Sequence, residues 1–188
     1  MRRISINDKD AINTTIASLV NGEVVCYPTD TIYGIGTDVK NESGIEKINT
    51  IKRRNSPMTI IIHSFNEISE NILLDDSLKE KTDDILSKGD TCIMSYTTQF
   101  VSELITENKK IGFRIPKHAF LHALLSEYQK PITSTSVNRT GQLPLNNPNS
   151  IEEEFGQEID LLIDAGEIKN KKASKIYIFE NKTIKQIR

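Results

Sequence analysis

Short apolar runs alternate with helical patterns of apolar residues along the whole chain. A short run rich in β-branched residues is typical of a buried strand, whereas apolar residues that recur every three or four positions are typical of an amphipathic helix. On these criteria, strands are predicted at residues 3–6, 24–27, 59–62, 92–96, 111–115, 131–134, 161–163, 176–179 and 182–187.

Helices are predicted between many of these strands. Ile12, Ile16 and Leu19 recur at helical spacing, and Gly22 follows them as a residue that tolerates the left-handed backbone of a helix C-terminus. Another helix is predicted over residues 120–128. Capping boxes of the form Ser-x-x-Glu predict the starts of further helices at Ser43, Ser77 and Ser150.

This succession of elements predicts one α/β domain over residues 1–188 with a mixed sheet. The last two predicted strands form a hairpin across Glu180-Asn181, which requires an antiparallel pair. The uneven spacing of the helices also argues against a purely parallel, doubly wound sheet.

Composition and charge place the chain among ordinary globular proteins. It has 188 residues, of which 37% are hydrophobic and 27% charged, and this excludes a disordered chain. Its formal net charge of −2 provides no general attraction to nucleic acid, so any anion site must come from local clustering. Cys26 and Cys92 adjoin apolar residues, and we expect both to be buried core residues in a reducing compartment rather than a disulfide.

Neither a signal peptide nor a membrane span is expected. The N-terminal sequence MRRISINDKD has no apolar core, and the isoleucine run at residues 60–62 is too short to cross a bilayer. The cytoplasm is therefore the expected location.

Polar residues cluster where the predicted strands end, and the first cluster follows a buried strand directly. There the sequence CYPTDTIYGIG, residues 26–36, carries more hydroxyls and glycines than a plain connection needs. The other clusters are Lys52-Arg53-Arg54 with His63, Arg114 within GFRIP, Ser134 to Asn138 within STSVN, and Ser174 with Arg188.

Each cluster also has a structural interpretation. The basic trio can complement a helix dipole while remaining solvated. Arg114 lies between apolar neighbours, where a free guanidinium is costly, so it binds either an anionic ligand or an internal partner such as Asp30 or Asp164. The hydroxyls of STSVN can satisfy the backbone of a turn.

The three histidines are weak signals by themselves. His63 alone is more typical of a structural or surface histidine than of a catalytic one. His118 and His122 have i, i+4 spacing, but no cysteine or carboxylate stands at ligand spacing, so a metal site is not favoured.

Taken together, the clusters predict an anion site at the strand ends of an open α/β sheet. They are rich in hydrogen-bond donors and poor in nucleophiles, with neither a convincing Ser-His-Asp order nor a Gly-rich Walker loop. The predicted chemistry depends on positioning and charge stabilisation rather than on a covalent enzyme intermediate.

The ordered set of YPTDTIYGIG, Lys52-x-Arg54, GFRIP and STSVN resembles the threonylcarbamoyl-AMP synthase family, the YrdC-like domain, in its single-domain type. The resemblance extends from Gly22 to Arg188. It implies an open, twisted, mixed α/β sheet around a large concave basic cavity. It also implies a nucleotidyltransferase that makes threonylcarbamoyl-AMP from L-threonine, bicarbonate and ATP, with magnesium, and releases pyrophosphate.

The resemblance further implies partners and residue roles. A separate tRNA threonylcarbamoyl-transferase complex would use the product to modify tRNA next to the anticodon, and the protein could itself contact tRNA. Lys52 and Arg54 would neutralise the charge that develops on the phosphates during catalysis. The residues implied for L-threonine are Thr31, His63, Arg114, Ser134 and Ser174, and those implied for the nucleotide are Lys52, Arg54, Ser136, Asn138 and Arg188.

The chain departs from the family pattern mainly on the nucleotide side. Asn55 and Met58 replace a proline and a polar amide, and Lys110 replaces a hydroxyl residue. In Lys88-Gly89-Asp90-Thr91-Cys92 the family's threonine is lost or displaced by one position. Two alternatives therefore stay open: a non-catalytic RNA-binding module, and a paralogue with an altered substrate.

Overall fold

The computed structural model describes residues 1–54, 57–169, 171, 173–180 and 183–188. Its strands are β1 (Arg2–Ser5), β2 (Val25–Tyr27), β3 (Gly34–Gly36), β4 (Thr59–Ile61), β5 (Thr91–Ser95), β6 (Lys110–Arg114), β7 (Ile132–Ser136), β8 (Leu161–Asp164), β9 (Ile176–Glu180) and β10 (Thr183–Gln186). Its helices are α1 (Ala11–Val20), α2 (Glu42–Lys52), α3 (Asp76–Ser87), α4 (Ala119–Tyr128) and α5 (Pro148–Phe155), with 3-10 turns at Phe65–Glu67 and Glu103–Ile105.

The described strands pair in the order β1-β8-β2-β3-β7-β4-β6-β5-β9-β10. β8 is parallel to β1 and β2, β4 is parallel to β6, and β5 is parallel to β9. The remaining pairs are antiparallel. The sheet is therefore mixed and open, with β1 and β10 at its edges, and this confirms the predicted fold class.

The predicted C-terminal hairpin is also present. β9 and β10 are antiparallel, and Thr183 lies opposite Glu180. Asn181 and residue 182, which were predicted in the turn and at the start of the last strand, lie outside the described residues, as does residue 55.

Helices cover both faces of the sheet. Alternate residues of a strand point to opposite sides, so a strand such as β4 contributes apolar side chains to both faces. In β4, Ile61 packs in the apolar cluster that contains residues of α1 and α4. Ile60 and Ile62 pack in the cluster that contains residues of α2, α3 and α5. Cys26 and Cys92 are free and fully buried in that second cluster, which confirms their prediction as core residues.

The helix starts differ from the capping-box prediction. The N-caps are Asn41, Asp75 and Asn147, whose side chains accept hydrogen bonds from the first-turn backbone of α2, α3 and α5. Ser43, Ser77 and Ser150 lie inside these helices, so their prediction as caps was wrong. In each case an Asx residue two or three positions upstream satisfies the exposed amides first.

The sequence prediction also missed β3, because Gly-Ile-Gly has the composition of a loop. β3 forms because β2 and β7 pair with it on its two sides. A Cβ at Gly36 would lie 1.8 Å from the carbonyl oxygen of Thr133, so only glycine permits this close approach of the backbones. Within the described ranges, the longest apolar helical stretch falls short of what a bilayer crossing needs.

Candidate functional site

A cavity of about 300 Å³ brings together most of the predicted site residues. Thr59 lies on its floor and projects from the same face of β4 as Ile61, so the cavity shares the face of the sheet that α1 and α4 cover. The predicted residues that line it are Thr31, Arg54, Arg114, Ser134, Ser136, Ser174 and Arg188.

The floor of the cavity is open because small residues lie opposite one another across the central strands. Gly34 pairs with Ser136, and Thr59 pairs with both Ser134 and Gly112. A Cβ at Gly112 would lie 3.1 Å from the Thr59 hydroxyl. The register therefore leaves space above the sheet and surrounds that space with hydroxyl groups.

The loop between β2 and β3 is folded around the side chain of Thr29. Its hydroxyl oxygen accepts hydrogen bonds from the backbone amides of Thr31 at 3.0 Å and Ile32 at 3.2 Å, and the hydroxyl donates to the Ile32 carbonyl at 2.7 Å. The hydroxyl oxygens of Thr29 and Thr31 are 2.9 Å apart. This network holds the Thr31 hydroxyl at the cavity wall.

Arg114 is a buried cation with an internal partner. Its Nη2 donates to both carboxylate oxygens of Asp30 at 2.9 Å, and its Nε donates to the Gly89 carbonyl at 2.7 Å. Burial lowers the pKa of Arg114, although the neighbouring Asp30 opposes that effect. Of the two internal partners considered from the sequence, Asp30 is the one observed, and Arg114 still lines the cavity.

Lys52 lies just behind the cavity wall, at the end of α2. Its Nζ donates to the Ser136 carbonyl at 2.7 Å and to the carboxamide oxygen of Asn138. The side chain is buried, and burial followed by the nearby charge of Arg54 lowers its pKa to about 8. The Ser136 hydroxyl, which donates to Asn138 at 2.6 Å, connects this cluster to the cavity.

Arg54 and Arg188 supply the other cations of the lining. The Arg54 guanidinium forms no hydrogen bond or ion pair with any residue that the structure describes, and it is exposed at the cavity edge. Arg188 donates from Nε to the Ser174 carbonyl at 3.0 Å, and burial lowers its pKa. Both guanidinium groups are therefore placed to bind an anion.

His63 lies outside the cavity lining. It is exposed after β4, and its ring packs edge-on against that of His122 with 6.0 Å between the ring centroids. Its contact with L-threonine therefore stays a prediction from the resemblance alone.

Several lining residues were not predicted as site residues. These residues include Thr59, Thr91, Pro144 and Met58. Strand alternation was the signal that could have found Thr91, since it places Thr91 on the face opposite to the buried Cys92.

Known proteins are similar to this chain over most of its length. The model of the Sua5/YciO/YrdC family, described as "Telomere recombination", matches residues 17–188. A Methanocaldococcus jannaschii protein provisionally named threonylcarbamoyl-AMP synthase is 31% identical over 172 residues, which cover 90% of this chain and 81% of the relative. A Vibrio vulnificus threonylcarbamoyl-AMP synthase is 29% identical, with coverage of 81% and 84%.

Two solved structures share the fold. The E. coli YciO structure has a TM-score of 0.87 and 22% identity, and the match covers 100% of this chain and 92% of YciO. The P. abyssi Sua5 structure complexed with L-threonine has a TM-score of 0.85 and 22% identity. That match covers 100% of this chain but only 56% of Sua5.

Proposed function

Because the chain belongs to the Sua5/YciO/YrdC family, we propose that it is an L-threonylcarbamoyladenylate synthase, a nucleotidyltransferase. It would make threonylcarbamoyl-AMP from L-threonine, bicarbonate and ATP and release pyrophosphate. The observation that carries this proposal is the single cavity shared by Thr31, Arg54, Arg114, Ser136 and Arg188. Hydroxyls suited to a small amino acid and cations suited to phosphates face the same space.

L-threonine would bind at the part of the cavity next to β5 and β6. Two nitrogens of Arg114 are held by Asp30 and Gly89, so its Nη1 is the nitrogen available to a ligand carboxylate or carbamate. The hydroxyls of Thr31, Ser134 and Ser174 would supply further hydrogen bonds. The structure of P. abyssi Sua5 with L-threonine supports an amino-acid site in this fold.

ATP would bind with its phosphates near Arg54 and Arg188. Both guanidinium groups can donate to phosphate oxygens, and Lys52 adds a positive charge behind Ser136 and Asn138. Magnesium would enter with ATP as part of the substrate, since Mg²⁺ usually keeps several waters and binds through substrate phosphates. It would share the neutralisation of the phosphate charge.

The proposed reaction proceeds by positioning and charge stabilisation. The threonine amine adds to carbon dioxide, which is in equilibrium with bicarbonate, and loses a proton to give a carbamate. A carbamate oxygen attacks the α-phosphorus of ATP while the bond to the β-phosphate oxygen breaks, so pyrophosphate leaves in line. L-threonine, bicarbonate and ATP thus give threonylcarbamoyl-AMP, pyrophosphate and water. Arg54 and Lys52 would stabilise the developing negative charge.

The product would be consumed by a second enzyme. A separate tRNA threonylcarbamoyl-transferase complex would transfer the threonylcarbamoyl group to tRNA, and we propose the cytoplasm as the location of both steps. The names of the relatives favour the synthase over the RNA-binding module. A paralogue with a different substrate would appear as pyrophosphate release that prefers another amino acid.

A pyrophosphate assay tests the proposal directly. The wild-type protein, mixed with ATP, magnesium and bicarbonate, should release pyrophosphate only when L-threonine is added. Folded protein that shows no threonine-dependent release above a blank would contradict the proposal.

A matched pair of arginine variants tests the phosphate site. Arg54→Ala should lower turnover by about 100-fold, because it removes a donor aimed at the reacting phosphates. Arg53→Ala removes the same charge from the adjacent residue, which does not line the cavity, and should leave turnover within about threefold of wild type. Equal turnover of the two variants would show that Arg54 is not part of the phosphate site.

A further inference from the structure

A pair of hydroxyl groups lies in the cavity wall between β5 and β9. The Thr91 and Ser174 hydroxyl oxygens are 3.0 Å apart, and both residues line the cavity. Thr91 is only 2% exposed, and its backbone amide donates to the Lys175 carbonyl at 2.9 Å. The Ser174 carbonyl accepts from Arg188 Nε at 3.0 Å. These bonds fix the two backbone segments, and the bond between the hydroxyls fixes the two side chains relative to each other.

The pair has hydrogen-bonding capacity that its mutual bond does not use. Each hydroxyl can donate once and accept twice, and the bond between them uses one donor and one acceptor. Neither hydroxyl hydrogen-bonds to any other residue in the described part of the chain. One O–H and several lone pairs are therefore available to a ligand in the cavity. A ligand hydroxyl, which is both donor and acceptor, matches such a pair.

The neighbours of Thr91 define what else such a ligand would carry. Thr91 lies directly opposite Arg114 on one side and Ile176 on the other. Directly opposed side chains have Cβ atoms about 5 Å apart. A small ligand at this place would therefore meet a guanidinium for its carboxylate or carbamate, a hydroxyl pair, and an apolar surface. These three contacts fit an amino acid with a hydroxyl on its β-carbon.

We propose that Thr91, acting with Ser174, is a specificity-determining residue that reads the β-hydroxyl group of the amino-acid substrate. This inference rests on the proposed synthase function and adds a specific contact to it. A site that hydrogen-bonds a substrate hydroxyl rejects an analogue without it, because the site's polar groups are then left unpaired.

The test compares three amino acids in the pyrophosphate assay: L-threonine, L-serine and L-2-aminobutyrate, which lacks only the hydroxyl of threonine. The variants are Thr91→Val, which keeps the side-chain shape without the hydroxyl, and Thr91→Ser, which keeps the hydroxyl. Thr82→Val is the matched control, since Thr82 is a fully buried threonine in α3 whose hydroxyl donates to the Leu78 carbonyl. Circular dichroism and thermal unfolding establish that each variant is folded.

Thr91→Val should lower kcat/KM for L-threonine and L-serine by about tenfold, the loss expected for one hydrogen bond. It should change kcat/KM for 2-aminobutyrate by less than about twofold, and Thr91→Ser should retain the preference for hydroxyl substrates. Thr82→Val should not alter the preference. An equal loss for threonine and 2-aminobutyrate, or an unchanged preference in folded Thr91→Val, would overturn the inference. Absence of wild-type activity with every amino acid would instead contradict the proposed function.

Discussion

Lys52 should make the stability of the protein depend on pH in a way that one variant can isolate. Its ammonium group is buried against the Ser136 carbonyl and the Asn138 carboxamide, with no carboxylate partner among the described residues. Burial, and next the charge of Arg54, lowers its pKa from 10.5 to about 8. This difference corresponds to a cost of about 3 kcal/mol for holding the charged form in the folded protein.

The sign of the effect follows from proton binding. Between pH 8 and pH 10.5 the unfolded chain still binds the proton while the folded protein has released it, so stability should rise with pH. Other groups act in the opposite direction, because burial raises the pKa of Tyr33 and of Cys92 to about 12. As pH rises above the pKa values that these groups have in the unfolded chain, the unfolded chain releases their protons while the folded protein keeps them. Their contribution to stability therefore falls with pH.

Comparison with Lys52→Met removes these other contributions. The free energy of unfolding, measured by urea denaturation from pH 7 to pH 9.5, should rise in the wild type relative to the variant by about 2 kcal/mol. The hydrogen bonds lost in the variant change its free energy of unfolding by the same amount at every pH, so they do not change this slope. Parallel curves for the two proteins would show that Lys52 is not held in an environment that disfavours its charge.

Four substitutions test the local structure of the fold and the site. Gly36→Ala should destabilise the protein by more than about 3 kcal/mol in urea denaturation, since its Cβ would lie 1.8 Å from the Thr133 carbonyl oxygen; a loss below about 1 kcal/mol would contradict this packing. Asn41→Ala should lower the free energy of unfolding by about 1 kcal/mol through loss of the cap of α2, and Ser43→Ala should lower it by less than half of that. The reverse order would show that Ser43 is the cap. Asp30→Asn should lower the free energy of unfolding by about 3 kcal/mol, because it leaves Arg114 buried without its charge partner, and should raise the KM for L-threonine. If stability and KM were both unchanged, Asp30 would not support Arg114 in the site.

Most strands could be predicted from the sequence, because a short run of β-branched residues is typical of a strand and of few other elements. The run at residues 59–62 differs from β4 only at its last residue. The partner of Arg114 could not be chosen from the sequence, since Asp30 is 84 residues away and only the folded sheet brings the two together.

Lys52 and Arg54 show a further limit of pattern reasoning. They are two positions apart and were predicted to act together on the phosphates, but their spacing does not reveal that Lys52 donates to Ser136 and Asn138 while Arg54 lines the cavity. Between them Arg53 adopts a left-handed conformation with φ of 53°, which redirects the chain after the helix. A spacing rule cannot give that direction without the backbone geometry.

The central claim is that one cavity joins L-threonine, bicarbonate and ATP. The most direct measurement is mass spectrometry of a reaction that contains ¹³C-labelled bicarbonate, L-threonine and MgATP. The account predicts an adenylate that carries threonine and one labelled carbon, formed in step with pyrophosphate. Consumption of ATP to ADP and phosphate, or an adenylate without the labelled carbon, would contradict it.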